Sequence, residues 1–356
     1  MHIGLIMECD YRPQLTQQEA FDEAFMMAGE AERLGLDGVW LAERHFASNK
    51  NVGGVPSIVS APLILATAIS ERTERIRVGI GVLVLPLGHP IRMAEEVAML
   101  DNICKGRLDL GVGRSAFTTA YEGYDLPYEG SRSRFQEYLE VMRLAWTEEN
   151  FSYEGATYSF SNLNVIPKPY QSPHPPLWAA ATTKESFTIM AQQGLNILVG
   201  LRGMTVPDLA VAIAEYKDEW GRAGHPGEGR VILRIPIYVA EDMERALSEP
   251  EESVMHAYAR LKRAYTGSIG KAGTTSDEER SEKSEELSTV TYEDLQRDRL
   301  AFGSPDSVIE KLTSLRDELG LSGFIIESNV GGMIPQDKML NSVSLFAEEV
   351  APQLRT

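Results

Sequence analysis

The stretch "LDGVWLAERHF", Leu36 to Phe46, decides how the chain is read. Val39, Trp40 and Leu41 are residue types that favour extended backbone. Glu43, Arg44, His45 and Phe46 then follow with no turn residue between. Three ionisable side chains in a row are not tolerated in mid-sheet, where charge is expensive to bury. They suit the end of a strand that opens onto a pocket.

Working outward, short apolar runs of the same kind recur along the chain. They are "IGLIM" (3–7), "IRVGIGVLVL" (76–85), "RLDLGVG" (107–113), "PLWAAA" (176–181), "NILVG" (196–200), "VILRIPIYV" (231–239) and "GFIIES" (323–328). Several lack period-two alternation, as strands covered on both faces do. Between them lie helical stripes. Ala20, Ala24, Met27, Ala31 and Leu34 form one, ended by Gly35, and Met93, Val97 and Leu100 form another behind Pro90. Val308, Leu312, Leu315 and Leu319 run between Ser304-Pro305 and Gly320, and a last helix carries Met339, Val343, Phe346 and Val350. Counting "GVWLA" (38–42), eight strands interleave with helices. That is the count of a (β/α)₈ TIM barrel, here one domain over 1–356 with insertion segments. An open doubly wound sheet would carry a Gly-rich turn after its first strand, and "MECDYRPQLT" has none.

Two segments break the rhythm. "FSYEGATYSFSNLNVIPKPYQSP" (151–173) reads as an aromatic hairpin turning at Gly155, an insertion over part of the barrel. Residues 266–290 hold only Ile269, Leu287 and Val290 as large apolar groups. They read as a long mobile loop over the strand ends.

The formal net charge of −18 excludes nucleic acid and anionic membrane surfaces as partners. No apolar run is long enough to span a bilayer, and the N-terminus shows no secretory leader, so a cytoplasmic protein is expected. Cys9 and Cys104 are expected to be reduced thiols, and six scattered histidines give no metal site.

In such a barrel the chemistry sits at the C-terminal strand ends. Glu43, Arg44 and His45 therefore belong to the mouth. His89 follows the third strand beside Pro90 and is expected to share the mouth with His45, where neutral imidazoles suit proton transfer or holding an oxygen. After the fourth strand, Gly111 and Gly113 permit a close backbone approach, and Arg114 presents a fork suited to phosphate. After the fifth, Thr182, Thr183 and Ser186 open a helix whose free N–H groups can hold an anion. Arg114 and that helix start, on adjacent strands, can hold one phosphate. Met7, Phe117, Tyr121 and residues 201–204 are expected to line the pocket. Together these features point to a flat ring cofactor with a phosphate tail, such as flavin mononucleotide.

"GLDGVWLAERHF", "RIRVGIGVLVLPLGHPIRMAEEVAMLDNICKGRLDLGVGR" and "AATTKESFTIMAQQG" resemble the bacterial luciferase-like flavin-dependent monooxygenases. The resemblance runs in order from Gly4 to the last helix. It implies a barrel that takes reduced FMN from a separate flavin reductase and reacts it with O₂. The resulting C4a-peroxyflavin oxygenates a small organic substrate. It assigns the phosphate to Arg114, Thr182, Thr183 and Ser186, the long loop to 266–290, and a non-prolyl cis peptide under the flavin ring to Gly81–Val82. A homodimer is expected on the same ground. The luciferase pattern has two adjacent histidines after the second strand, where this chain has Arg44 and His45, and a cysteine near the flavin where it has Gly113. Arginine takes no proton near neutral pH, so Arg44 would hold an anionic flavin or a substrate carboxylate, or pair with Glu43. Two alternatives stay open: an F420-dependent oxidoreductase of the same superfamily, and a non-catalytic flavin-binding paralogue.

Overall fold

The computed structural model describes residues 1–9, 15–46, 57–115, 118–273 and 275–355. Its strands, in chain order, are β1 (His2–Met7), β2 (Gly38–Leu41), β3 (Arg77–Val84), β4 (Leu108–Gly113), β5 (Phe151–Glu154), β6 (Ser159–Leu163), β7 (Leu177–Ala180), β8 (Asn196–Gly200), β9 (Val231–Val239), β10 (Ala301–Gly303) and β11 (Gly323–Glu327). Eight of them pair in parallel in the order β1-β2-β3-β4-β7-β8-β9-β11, and β11 returns to β1. The ring closes, giving the TIM barrel that the strand count implies. The hairpin β5–β6 is the expected insertion. The short β10 pairs with β9 outside the ring and is not marked by any apolar run in the sequence.

Helices cover the outside for the reasons their sequences give. Thr16 and Glu19 cap Gln17–Arg33 reciprocally, and that helix turns Ala20, Ala24, Met27 and Ala31 inward. The helix Pro305–Leu319 buries Val308, Leu312, Leu315 and Leu319 and stops at Gly320, whose φ of 57° is the left-handed cap expected of glycine.

The barrel interior is filled by Ile6, Trp40, Ala42, Trp178, Ile232 and Ile325, with Leu198 packed against them. Trp40 and Trp178 meet edge to face at 5.9 Å. A Cβ at Gly79 would overlap the Trp40 ring, so the neighbouring strand must carry glycine for the tryptophan to lie inside. The indoles are satisfied by His2 Nε2 at 3.1 Å and Asp109 Oδ1 at 3.2 Å.

Residues 266–290 differ from the expected loop. They form the end of the helix Glu251–Ser268, a short connection, and the helix Asp277–Thr289. The missing apolar content is supplied by partners. Leu287 joins Val254, Tyr258, Tyr292, Leu295, Leu300 and Val330 in a separate small core. Arg280, only 2% exposed, donates to the carbonyls of Ser268 (2.5 Å), Lys271 (2.6 Å) and Thr275 (2.8 Å) and so ties the connection to the second helix. The sequence signal was Ser276 with Glu279, a capping box ahead of an acidic first turn.

Candidate active site

Above the apolar barrel interior lies a layer of charge, set there by strand periodicity. Side chains two residues apart on a strand share a face. Ile6, Ala42, Ile232 and Ile325 point inward, so Glu8, Arg44, Arg234 and Glu327 point inward one step nearer the mouth. Arg202, just past β8, joins them. Glu8 takes Arg44 on one oxygen and Arg234 on the other. Glu327 accepts from Arg234 Nε at 3.0 Å, with Nη2 ion-paired to it at 2.9 Å, and both of its oxygens accept from Arg202 Nη2 at 2.9 Å. Burial by itself would raise the Glu8 carboxyl, but the charges of Arg44, Arg234 and Arg202 outweigh it and hold the group at about 2. Glu327 is lowered as well: burial opposes ionisation, and Arg202 and Arg234 overcome it despite repulsion from Glu8.

A cavity of about 410 Å³ opens over this layer, within the range of small-molecule sites. Glu43, Arg44 and His45 all reach it, as does Ser115 beyond β4. Glu43 accepts the Val84 N–H at 2.7 Å, which fixes the carboxylate to the end of β3. Its other oxygen meets His45 Nε2 at 2.5 Å, and His45 Nδ1 lies 3.2 Å from the Tyr124 hydroxyl. Both imidazole nitrogens are thus engaged. Arg44 pairs with Glu8, not with Glu43.

His89 is placed elsewhere. It is exposed at the start of the helix Pro90–Ile103 and packs edge-on against Tyr158 and Phe160 of the hairpin strand region, each at 5.9 Å. It is not among the residues that line the cavity with His45. Tyr121 is fully buried, its hydroxyl donating to the Arg114 carbonyl at 2.7 Å, so it supports the loop after β4. Met7 lines a smaller cavity on the other side of β1, and Phe117 lies outside the described residues. Of residues 201–204, Arg202 reaches the mouth, while Leu201 and Met204 line an outer cleft.

The Gly81–Val82 peptide is cis. Gly111 and Gly113 make room for β3 itself. A Cβ at Gly111 would overlap the Ile80 carbonyl, and one at Gly113 would lie 2.5 Å from Val82 Cγ2, where the β3–β4 register shifts. The space at Gly113 is therefore filled by Val82 and does not widen the pocket.

Arg114 Nη1 donates to Ser131 Oγ at 3.2 Å, with the guanidinium 5.7 Å from the Tyr128 ring centre. The helix Lys184–Gln192 opens nearby. Thr182 and Thr183 donate their backbone N–H groups to Ser186 Oγ at 3.2 and 3.1 Å, which shapes the turn into it. Glu185 in its first turn pairs with Arg132 at 2.8 Å. Its carboxyl is lowered first by that hydrogen bond and charge, and further by Arg114. Arg132 thus acts on this helix N-terminus through its pair with Glu185, Arg114 through its charge, and Arg114 with the N–H groups of the helix start fits a phosphate monoester. Arg132, like Glu8, Arg234 and Glu327, was not singled out from the sequence, and Arg202 was named only within the range 201–204.

The model of the luciferase-like monooxygenases matches residues 1–322. The chain belongs to that family. Among its relatives is the oxygenase component of the flavin-dependent trigonelline monooxygenase of Acinetobacter baylyi, 29% identical over 250 residues, covering 69% of this chain and 67% of the relative. The crystal structure of monooxygenase RslO1 from Streptomyces bottropensis superposes with a TM-score of 0.81 at 25% identity, covering 99% of this chain and 100% of the other. The oxygenating constituent of 3,6-diketocamphane monooxygenase from Pseudomonas putida, in complex with FMN, shares the fold at a TM-score of 0.78 and 20% identity, covering 99% and 98%. As a luciferase-like monooxygenase the chain is an oxidoreductase. Among its described residues no helix is long and apolar enough to cross a membrane.

Proposed function

We propose that this luciferase-like monooxygenase is the oxygenase component of a two-component system, using reduced FMN from a separate flavin reductase and O₂ to oxygenate a small organic substrate. One observation carries the reading: Arg132 pairs with Glu185 in the first turn of the helix Lys184–Gln192, and Arg114, next to the cavity residue Ser115, is near enough for its charge to act on that carboxyl. Arg114 and the N–H groups and hydroxyls at Thr182, Thr183 and Ser186 would hold the FMN phosphate, with Gly81, Val82 and Gly113 near the ring. When bound, reduced flavin supplies the two electrons and the carbon centre at which O₂ is activated. The protein's own contribution is placement and proton handling. With Nε2–H donated to Glu43, His45 Nδ1 accepts from Tyr124, a residue 46% exposed, so a proton at the imidazole exchanges with solvent through the phenol. Arg44 fixes a positive charge on the cavity wall and transfers no proton. His89 would act only through the hairpin it packs on.

A homodimer is proposed alongside. Ile64, Met99 and Ile103 are exposed on the helices Pro62–Ser70 and Pro90–Ile103, which pack on each other.

The test is an anaerobic titration of the protein with reduced FMN and, in parallel, with reduced F420, followed by admission of O₂. Tighter binding of reduced FMN, and O₂ consumption sustained only when a flavin reductase and NADH are present, are expected. Preference for F420 with no oxygen consumption, or no binding of either, overturns the proposal.

A further inference from the structure

We infer that the substrate is an organic carboxylate, its anionic group held by Arg202 and the Tyr258 hydroxyl on the side of the mouth across from Arg114. The inference rests on the monooxygenase reading of the same cavity and adds the class of molecule oxygenated.

Charge balance is the first ground. The layer over the barrel interior combines three guanidiniums, Arg44, Arg202 and Arg234, with two carboxylates, Glu8 and Glu327. Glu43 and Arg260 line the same cavity and offset each other in charge, so one net positive charge remains in a cleft where charge is poorly solvated. In a chain of net charge −18, that local excess is the opposite of the average surface.

Arg202 is the member of the layer best able to receive a ligand. Its recorded bonds to Glu327 leave from Nη2 alone, and 40% of the side chain is exposed, facing the cavity. A guanidinium offers parallel N–H pairs that match the two oxygens of a carboxylate.

Tyr258 is an independent sign. The residue is 3% exposed and lines the same cavity from the helix Glu251–Ser268, and the Arg299 guanidinium beside its hydroxyl can only donate, so among the described residues the O–H meets no acceptor. Buried hydroxyls are satisfied as a rule, so this donor is waiting for an acceptor that enters with a ligand. It lies close enough to Arg202 for that charge to act on the phenol. Leu261 and Val330 line the cavity near these groups and suit an apolar body behind the carboxylate.

Position separates this subsite from the phosphate site. Glu327, which anchors Arg202, ends β11, and β11 stands opposite β4 in the ring that carries Arg114. A ligand on Arg202 and Tyr258 therefore need not compete with a phosphate on Arg114.

The test is calorimetric titration of the protein, with and without FMN, using benzoate against benzamide and hexanoate against hexanamide. At least one carboxylate is expected to bind about ten- to a hundredfold more tightly than its amide, as a charge-assisted bond implies. That preference should persist with FMN bound and fall in both Arg202→Gln and Tyr258→Phe. Tyr258→Phe leaves every ion pair in place and should keep the parent melting temperature, so its effect cannot be laid to misfolding. Amides binding as well as carboxylates, no binding by either, an unchanged preference in both variants, or displacement of the carboxylate by FMN would each overturn the inference. If carboxylate preference holds while reduced FMN fails to bind, the cofactor reading falls and the anion subsite stands.

Discussion

Replacing Glu8 by glutamine probes the charged layer that roofs the barrel interior. Glutamine keeps the volume and removes the charge. Arg44 and Arg234 each lose a charge-assisted partner on a side chain only 10% exposed. Each such bond is worth ~1.5–3 kcal/mol, and breaking a buried ion pair typically destabilises by ~3–5 kcal/mol. Relief of the repulsion between Glu8 and Glu327 works the other way. The low end, ~3 kcal/mol, is therefore expected. An unfolding entropy of roughly 2.1 cal/mol/K per residue converts that, for this chain length, to a fall in melting temperature of about 4 °C. The effect must also depend on pH. The folded Glu8 carboxyl sits at about 2, below its ordinary 4.5, so on acidification the unfolded chain takes up this proton first. The contribution of Glu8 is complete above 4.5 and is lost as pH falls from there towards 2. Thermal melts followed by circular dichroism from pH 7 down to about pH 3 should show a constant gap between parent and variant down to about pH 5, and a closing gap below. A gap under about 1 °C at pH 7, or one equally wide at pH 3, would refute the assignment of Glu8 as the ionised centre of this layer.

Arg114→Ala should weaken FMN binding by about ten- to a hundredfold in a fluorescence-quenching titration, while riboflavin, which has no phosphate, binds as before. Arg280→Ala should release the 268–275 connection, since three carbonyls lose their donor. Hydrogen exchange should then accelerate across 268–290 and stay unchanged in β1 to β4, and uniform acceleration would place the arginine in global stability instead. Gly79→Ala forces a methyl group into the Trp40 ring, and overpacking of this kind is expected to destabilise by ~1–3 kcal/mol, read as a lowered melting temperature.

The barrel was legible because each of its eight strands is an apolar run with a helix pattern or turn beside it, a signal carried by local sequence. The extra strand β10 has three residues, Ala301–Gly303, too short to show a period. The helix Asp277–Thr289 has too few apolar residues to show a helical stripe in the sequence. Its stability comes from a capping box and from Arg280, whose bonds to carbonyls outside its helix leave no local trace. His45 and Arg44 were found because they follow a strand directly, and Arg114 with Thr183 because glycine and hydroxyl residues mark the strand-to-helix turns. Glu8 and Glu327 also stand at strand ends, but singly, with no second charge directly beside them to mark them off from ordinary termini. Arg234 lies inside the apolar run "VILRIPIYV", and only the shared inward face with Ile232 gives its direction. His89 shows the opposite error. Its place after a strand was legible, but the hairpin aromatics that engage it come from some seventy residues later in the chain.

The strand ends therefore divide the mouth by chemistry. Trp40 and Trp178 set a hydrophobic floor. The next inward positions on β1, β2, β9 and β11, with Arg202 after β8, carry formal charges that can exist there only because every carboxylate faces at least two guanidiniums. That arrangement fixes five strand ends to one another by ion pairs, in addition to the backbone ladder. It also makes the electrostatics of the cavity independent of the acidic exterior, since exposed charges are screened over roughly 8–10 Å at physiological salt while the buried layer is not. An anion approaching the protein meets net repulsion that salt can remove, and inside the mouth meets a fixed positive excess that salt leaves largely in place. Raising ionic strength should accordingly speed the association of anionic ligands with this protein, the reverse of what a basic surface would give, and stopped-flow mixing with FMN at two salt concentrations decides between them.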